Sequence, residues 1–319
     1  MTSKIPPLDC PPEGRFRVGL CQVGTAPLDL EGNLARTLAA LAEAAAAGAH
    51  LAITPECVLS GYPDTHDAAH RARALACSVS ADSSAVRAVA AAAAHHRMAV
   101  TLGFAELDPA TGLHHNTALL IGADGREAAQ YRKVHCRDFE TEGGSPGHDC
   151  DSVGGGGGGI FTPGDRFAQT ADVAGHLVGL MICFDREIPE SVRCLRALGA
   201  RLVACPLATD TWCGAEADGE GQPGAGVGNE TVTRVRAAEN EVFIAVVNHA
   251  GRFNGGSYVV APDGAVVARM DRHAGTSVVE IPLGAVGTVL HGNPRGWMGW
   301  GYRRREVYAP CLGGRGAGE

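Results

Sequence analysis

Apolar and polar positions along the chain switch repeatedly between a strand-like and a helical period. Arg15 to Val23 reads as a buried strand, after which Leu34, Leu38, Leu41 and Ala45 recur at helical spacing and Gly48 offers a stop. His50 to Thr54 predicts a second short strand, ending at Pro55-Glu56. Ala81-Asp82-Ser83 offers a helix cap before the alanine-rich stretch to His96, and Met98 to Ala105 predicts another strand. Apolar runs over 115–121 and 126–133 flank Ala123-Asp124-Gly125, a hairpin signal. The second half repeats this grammar: strand 176–183, helix 189–198, strand 201–205, helix 229–240 and strand 242–248. Hairpin strands 256–261 and 265–270 follow around Asp263-Gly264, with a closing strand at 276–281. Strands alternate with helices early in each half and form hairpins later, which predicts an α/β layer sandwich holding a pair of mixed sheets.

One compositional break interrupts the pattern. Gly143 to Gly159 includes six consecutive glycines, Gly154–Gly159. Such a tract loses too much backbone entropy to order by itself, so it reads as a flexible surface insertion. A second glycine-rich loop spans Gly214 to Gly228. No linker separates independent domains, so one domain is expected over 15–290, after a flexible N-terminal segment (1–14) and before a C-terminal arm and tail (291–319). With 45% hydrophobic and 19% charged residues the chain is globular in composition. Its net charge of −8 gives no electrostatic reason to expect nucleic acid or an anionic membrane as partner. The proline-rich start carries no apolar signal core, and no run approaches the roughly 18 apolar residues of a membrane helix. Eleven cysteines, an odd number with no C-x-x-C pair, point to a reducing cytoplasm rather than a disulfide scaffold.

Three chemically capable residues fall where predicted strands end: Glu56 after 50–54, Lys133 at the end of 126–133, and Cys183 at the end of 176–183. Singly, each has a plain explanation, since a cysteine closing an apolar strand is usually a small buried hydrophobe and a strand-end Glu or Lys is usually solvated. Other signals carry less. Gly143-Gly144-Ser145-Pro146-Gly147 fits the serine-hydrolase elbow, but Pro146 has no N–H to serve an oxyanion, and no strand leads in. The six glycines are not followed by Gly-Lys-Ser/Thr, so no phosphate loop is expected. His95-His96 and His114-His115 are adjacent pairs expected to point apart, without metal-ligand spacing, so no metal is expected.

Taken together, the three strand-end residues and their neighbours resemble the nitrilase (carbon–nitrogen hydrolase) superfamily. The blocks are Pro55-Glu56 with Gly61-Tyr62-Pro63, then Tyr131-Arg132-Lys133 with His135, then Ile182-Cys183-Phe184-Asp185 with Glu187 and Pro189-Glu190. The likeness continues through Phe161-Thr162-Pro163-Gly164, Arg236-Ala237-Ala238-Glu239-Asn240 and Pro262-Asp263-Gly264 to Arg303–Tyr308. It implies the superfamily's four-layer α-β-β-α sandwich and an amidase-like hydrolase that needs no cofactor or metal. Glu56 would be the general base, Lys133 the charge on the oxyanion, and Cys183 the nucleophile that carries the acyl group as a thioester. The backbone N–H of Phe184 would be a second oxyanion donor. Many members add a second glutamate after the lysine. Glu140 and Glu142 compete for this place, and Glu140 fits the spacing of several branches better. Asp185, Arg186 and Glu187 are expected to buttress the nucleophile loop. True nitrilases usually follow the nucleophile with Trp-Glu, whereas Phe184-Asp185 favours a small linear amide as substrate. An N-carbamoyl amidohydrolase is the first alternative, followed by nitrilase, acyltransferase and inactive scaffold. The resemblance also implies a homodimer or higher homo-oligomer. Trp297, Trp300, Tyr302 and Tyr308 in the C-terminal arm suit either such an interface or a core.

Overall fold

Every second residue of strand β1 (Phe16–Gln22) faces the same side, and the two sides meet different layers. Phe16, Val18 and Leu20 join the central core, while Cys21 joins the core beneath the first helices. The computed structural model describes residues 14–63, 68–137, 159–209, 229–251, 253, 255–286, 303, 304 and 307. After β1 come helix α1 (Leu30–Ala46), strand β2 (Leu51–Ile53), helices α2 (Ala68–Ala76) and α3 (Ser84–His96), and strands β3 (Ala99–Leu107), β4 (His114–Ile121) and β5 (Glu127–Arg132). The second half runs β6 (Gln169–Val173), β7 (His176–Leu180), α4 (Pro189–Ala197), β8 (Leu202–Pro206), α5 (Asn229–Asn240), β9 (Phe243–Val247), β10 (Tyr258–Val260), β11 (Val266–Arg269) and β12 (Gly275–Ile281).

The strands form two six-stranded sheets, ordered β12-β1-β2-β3-β4-β5 and β11-β10-β9-β8-β7-β6. In each, the middle three strands are parallel: β1, β2 and β3 in one, β7, β8 and β9 in the other. The outer pairings are antiparallel. Inner faces pack against each other through Phe16, Leu20, Ile53 and Leu120 on one side and Val178, Leu202, Phe243 and Val247 on the other. Each such side chain, fully buried, contributes about 1.5–3 kcal/mol. The outer face of the first sheet is covered by α1 and α3, and that of the second by α4 and α5, so the layers are α-β-β-α, as expected. Gly19 lets α1 lie close, since a Cβ there would stand 3.0 Å from the Ala44 methyl group. Asp29 caps α1 through the Gly32 N–H, and Ser83 caps α3 through that of Val86.

Two expectations need adjustment. The strand predicted over 176–183 ends at Leu180, and Cys183 instead opens a 3-10 turn, Cys183–Glu187. Lys133 lies one residue past β5 rather than inside it. Residues 1–13 of the N-terminal segment, residues 143–158 of the insertion, the Gly214–Gly228 loop, Glu140, Glu142 and the four arm aromatics lie outside the described residues.

Candidate active site

Glu56 sits just past β2 on a loop that β3 holds tightly. The Thr54 hydroxyl donates to the Thr101 carbonyl at 3.2 Å and accepts from the Gly103 N–H at 3.0 Å, and the Val58 N–H donates to the Gly103 carbonyl at 2.8 Å. Only glycine permits this approach, because a Cβ on Gly103 would lie 2.3 Å from the Pro55 carbonyl oxygen. Cys57 completes the turn in the left-handed region at φ 50°. The Glu56 carboxylate has no solvent exposure; its Oε1 accepts from Lys133 Nζ at 3.0 Å and from Asn116 Nδ2 at 2.7 Å. Lys133 is likewise buried, so two opposite charges offset each other's desolvation. The Asn116 carbonyl accepts the Lys133 N–H at 2.8 Å, so one residue of β4 holds the glutamate by its side chain and the lysine by its backbone. The Gly164 N–H in turn donates to the Lys133 carbonyl at 2.8 Å, which accounts for the Phe161–Gly164 block.

Cys183 follows β7 with φ 46°, a conformation that costs a non-glycine residue energy and is held here by the surrounding structure. Asp185 is the main hold. Its fully buried carboxylate accepts from the Ile182 N–H at 2.9 Å and the Tyr131 hydroxyl at 2.9 Å through one oxygen. The other oxygen accepts from the His135 N–H at 3.2 Å and from His135 Nδ1 at 2.8 Å. The lysine-bearing segment 131–135 and the nucleophile turn are thus fastened to one carboxylate. Burial, then the neighbouring Asp185 charge, pushes the Tyr131 phenol far above its usual range, so it remains a donor. Arg236 on α5 donates to the carbonyls of Arg186 and Glu187, each at 3.0 Å, which fixes the other end of the turn. The backbone N–H of Cys183 meets the thiol of Cys205, which burial pushes up to about 12. Cys183 itself is partly accessible. Phe184 lies in the first turn of the 3-10 segment with the Arg137 guanidinium 5.4 Å from its ring centre.

Sequence reasoning singled out Glu56 and Lys133, which the structure pairs, and Cys183, and it expected Asp185 to brace the turn, as it does. It missed Asn116, which donates to Glu56, and His249, whose Nε2 lies 2.7 Å from the Glu56 carbonyl, each buried at or just after an apolar strand. An amide or imidazole closing or interrupting such a run is the available signal, since buried polar groups require partners. One histidine expectation fails: the His95 and His96 rings meet edge to face, 4.8 Å apart, because both close α3. His115 instead contacts the Thr162 carbonyl through Nδ1 at 2.8 Å.

The profile of the carbon-nitrogen hydrolase family matches residues 17–289. The chain belongs to this family. This carbon–nitrogen hydrolase is 32% identical over 274 residues to an (R)-stereoselective amidase of Pseudomonas sp, covering 84% of this chain and 85% of that one. It is 25% identical to the chloroplastic omega-amidase of Arabidopsis thaliana, covering 86% and 70%. Among solved structures it resembles a cysteine-to-alanine mutant of the Nesterenkonia AN1 amidase from the nitrilase superfamily, with a TM-score of 0.68 and 26% identity, covering 95% and 99%. A glutamate-to-glutamine mutant of the same amidase shows covalent addition of the acetamide moiety of fluoroacetamide at the active site cysteine. Its TM-score is also 0.68, at 26% identity, covering 94% and 98%.

Proposed function

We propose that this carbon–nitrogen hydrolase is a cysteine-dependent amidase acting on small linear amides, with Cys183 as nucleophile, Glu56 as general base and Lys133 as oxyanion partner. The carrying observation is the buried Glu56–Lys133 pair, fastened beside the Cys183 turn through Asp185. An unperturbed thiol, with a pKa near about 8.5, is mostly protonated at neutral pH, so attack needs a base within reach. Glu56 takes the Sγ proton as sulfur bonds to the amide carbon, and the tetrahedral oxyanion forms between the Lys133 ammonium and the Phe184 N–H. The oxyanion collapses, the C–N bond breaks, and Glu56 gives its proton to the departing nitrogen. The thioester is then attacked by water, whose proton passes to Glu56 and finally back to sulfur as the acid leaves. Glu140, the better spaced of the two later glutamates, is the proposed second acid of the site. The relatives' names, (R)-stereoselective amidase and omega-amidase, support the substrate class. We infer a homo-oligomer by the same likeness; sedimentation at the 32.8 kDa monomer mass would remove that part.

The test is ammonia release across amides, ω-amides, N-carbamoyl amino acids and nitriles, with Cys183→Ala beside the wild type. Amides are expected to turn over, without carbon dioxide, and Cys183→Ala to stay folded and inactive. A tenth of wild-type activity in that variant would overturn the mechanism. Turnover confined to carbamoyl compounds, with carbon dioxide released, would move the assignment to an N-carbamoyl amidohydrolase.

A further inference from the structure

We propose that His249 is a positioning residue for Glu56: its buried imidazole holds the backbone of the base in register with the strand that delivers Cys183. The inference rests on Glu56 being the base. Three neighbouring parallel strands of the second sheet, β7, β8 and β9, run out in the same direction, with Leu180 paired to Ala204 and Pro206 to Val247. Just past their ends lie Cys183, Leu207 and His249. Glu56 belongs to the other sheet, yet its peptide group is gripped by this one on both sides. The Glu56 N–H donates to the Leu207 carbonyl at 3.4 Å, and the Glu56 carbonyl lies 2.7 Å from His249 Nε2. A carbonyl oxygen only accepts, so Nε2 carries a proton. Nδ1 faces the Thr25 hydroxyl at 2.9 Å, where the hydroxyl can donate to a neutral ring. The imidazole thus joins the segment after β1, the base after β2 and the end of β9.

The mounting is rigid. The Ala250 N–H donates to the Val23 carbonyl at 3.1 Å, which sets His249 opposite Thr25. The His249 carbonyl accepts the Gly255 N–H at 2.8 Å, and Asn248 donates to the carbonyls of Thr209, Phe253 and Gly255 at 3.0, 2.7 and 2.9 Å. His249 has no solvent exposure and packs on the Phe253 ring at 5.2 Å between centroids. These contacts reach Glu56 through its peptide N–H and carbonyl, so their effect on chemistry passes through the backbone. A base that drifts by a fraction of an ångström leaves both its thiol and the Lys133 ammonium that favours its ionised form.

The experiment compares His249→Phe, which keeps a ring and removes the donor, with His249→Gln, whose amide can still reach the Glu56 carbonyl. Both are assayed for kcat, KM and the pH profile of kcat/KM on an amide that the wild type hydrolyses. His249→Phe is expected to lower kcat by on the order of tenfold to a hundredfold, the scale of a misplaced catalytic group. KM should change little, and the acid limb of the profile should move to higher pH as Glu56 leaves the ammonium. His249→Gln should recover most of the kcat and the wild-type limb. A lower melting temperature with kcat and the limb unchanged would overturn the proposal and leave His249 a core residue. If His249→Phe does not fold, Thr25→Val carries the test. It should lower kcat by about threefold or more, the worth of one modest hydrogen bond, and an unchanged kcat overturns the proposal. Glu56→Gln run in parallel separates the two readings. If it keeps turnover, Glu56 is not the base and the parent reading fails. If it is inactive while His249→Phe is normal, the positioning role alone fails.

Discussion

Asp185 ties the turn that carries Cys183 and the segment that carries Lys133 to one side chain. Four hydrogen bonds from Ile182, Tyr131 and His135 converge on its buried carboxylate. Asp185→Asn turns one acceptor oxygen into a donor that faces other donors, so at least one buried N–H or O–H is left unsatisfied. A loss of about 1.5–3 kcal/mol is expected, the range for hydrogen bonds to a charged group, together with a fall in kcat. Chemical denaturation checks the first; stability within about 0.5 kcal/mol of wild type, the scatter of neutral surface changes, would show that the carboxylate is not the hold described here. Lys133→Met leaves the Glu56 carboxylate buried beside a thioether and should cost about 3 kcal/mol as well as turnover, read from the same curves. At this scale the sequence was legible where chemistry and motif coincide: Glu56 and Lys133, singled out from sequence, meet in a buried ion pair. A polar residue in or after an apolar run marks Asn116 and His249 as needing partners, but not which ones, because those partners lie 60 and 193 residues away.

Among the elements, the strand ends decide where Glu56, Lys133 and Cys183 stand. β3 carries a tight constraint, since the Gly103 backbone lies directly against the Pro55-Glu56 peptide. Gly103→Ala sets a methyl group against a backbone oxygen that cannot swing aside, so the Glu56 loop must move. About 1–3 kcal/mol of overpacking and a marked loss of kcat are expected, measured by thermal unfolding and steady-state kinetics. Full activity in that variant would mean the loop tolerates displacement. Most elements were readable from period and punctuation, such as α3 with its Ser83 cap and the β4–β5 hairpin around Asp124-Gly125. Two were not. Helix α2 buries only Ala74, and β6 is a polar edge strand, Gln169 to Val173, so neither shows the apolar rhythm that marks a core-facing segment. The strand before Cys183 was read too long because Met181 and Ile182 are apolar and buried although the ladder has already stopped.

For the molecule as a whole, acid should weaken the fold before it reaches the carboxylates. His50, His115 and His176 are each held below the usual 6.5, with burial the first cause and neighbouring arginines adding to it. A proton therefore binds the unfolded chain more readily than the folded one. The stability from these residues is whole above about pH 6.5 and declines as pH falls through the range towards their lowered values. Urea midpoints at about pH 7.5 and 5.5, either side of the free histidine value, should show the lower pH to be less stable. His176→Gln should narrow the gap, and equal midpoints for the wild type would contradict the account. The layered class was legible from the alternation of periods, but not which strands neighbour each other, because pairings such as Phe16 with Ile281 join the two ends of the domain. That pairing has a consequence for how the protein is made. During synthesis β1 emerges before β12, the strand that covers its outer edge, and the other strands of both sheets leave the ribosome in between. For nearly the whole of that interval the nascent chain offers an apolar strand edge to any other chain nearby. A chain stopped before Gly275 should therefore aggregate on release rather than accumulate as a soluble near-native domain, which light scattering of the truncated product would register.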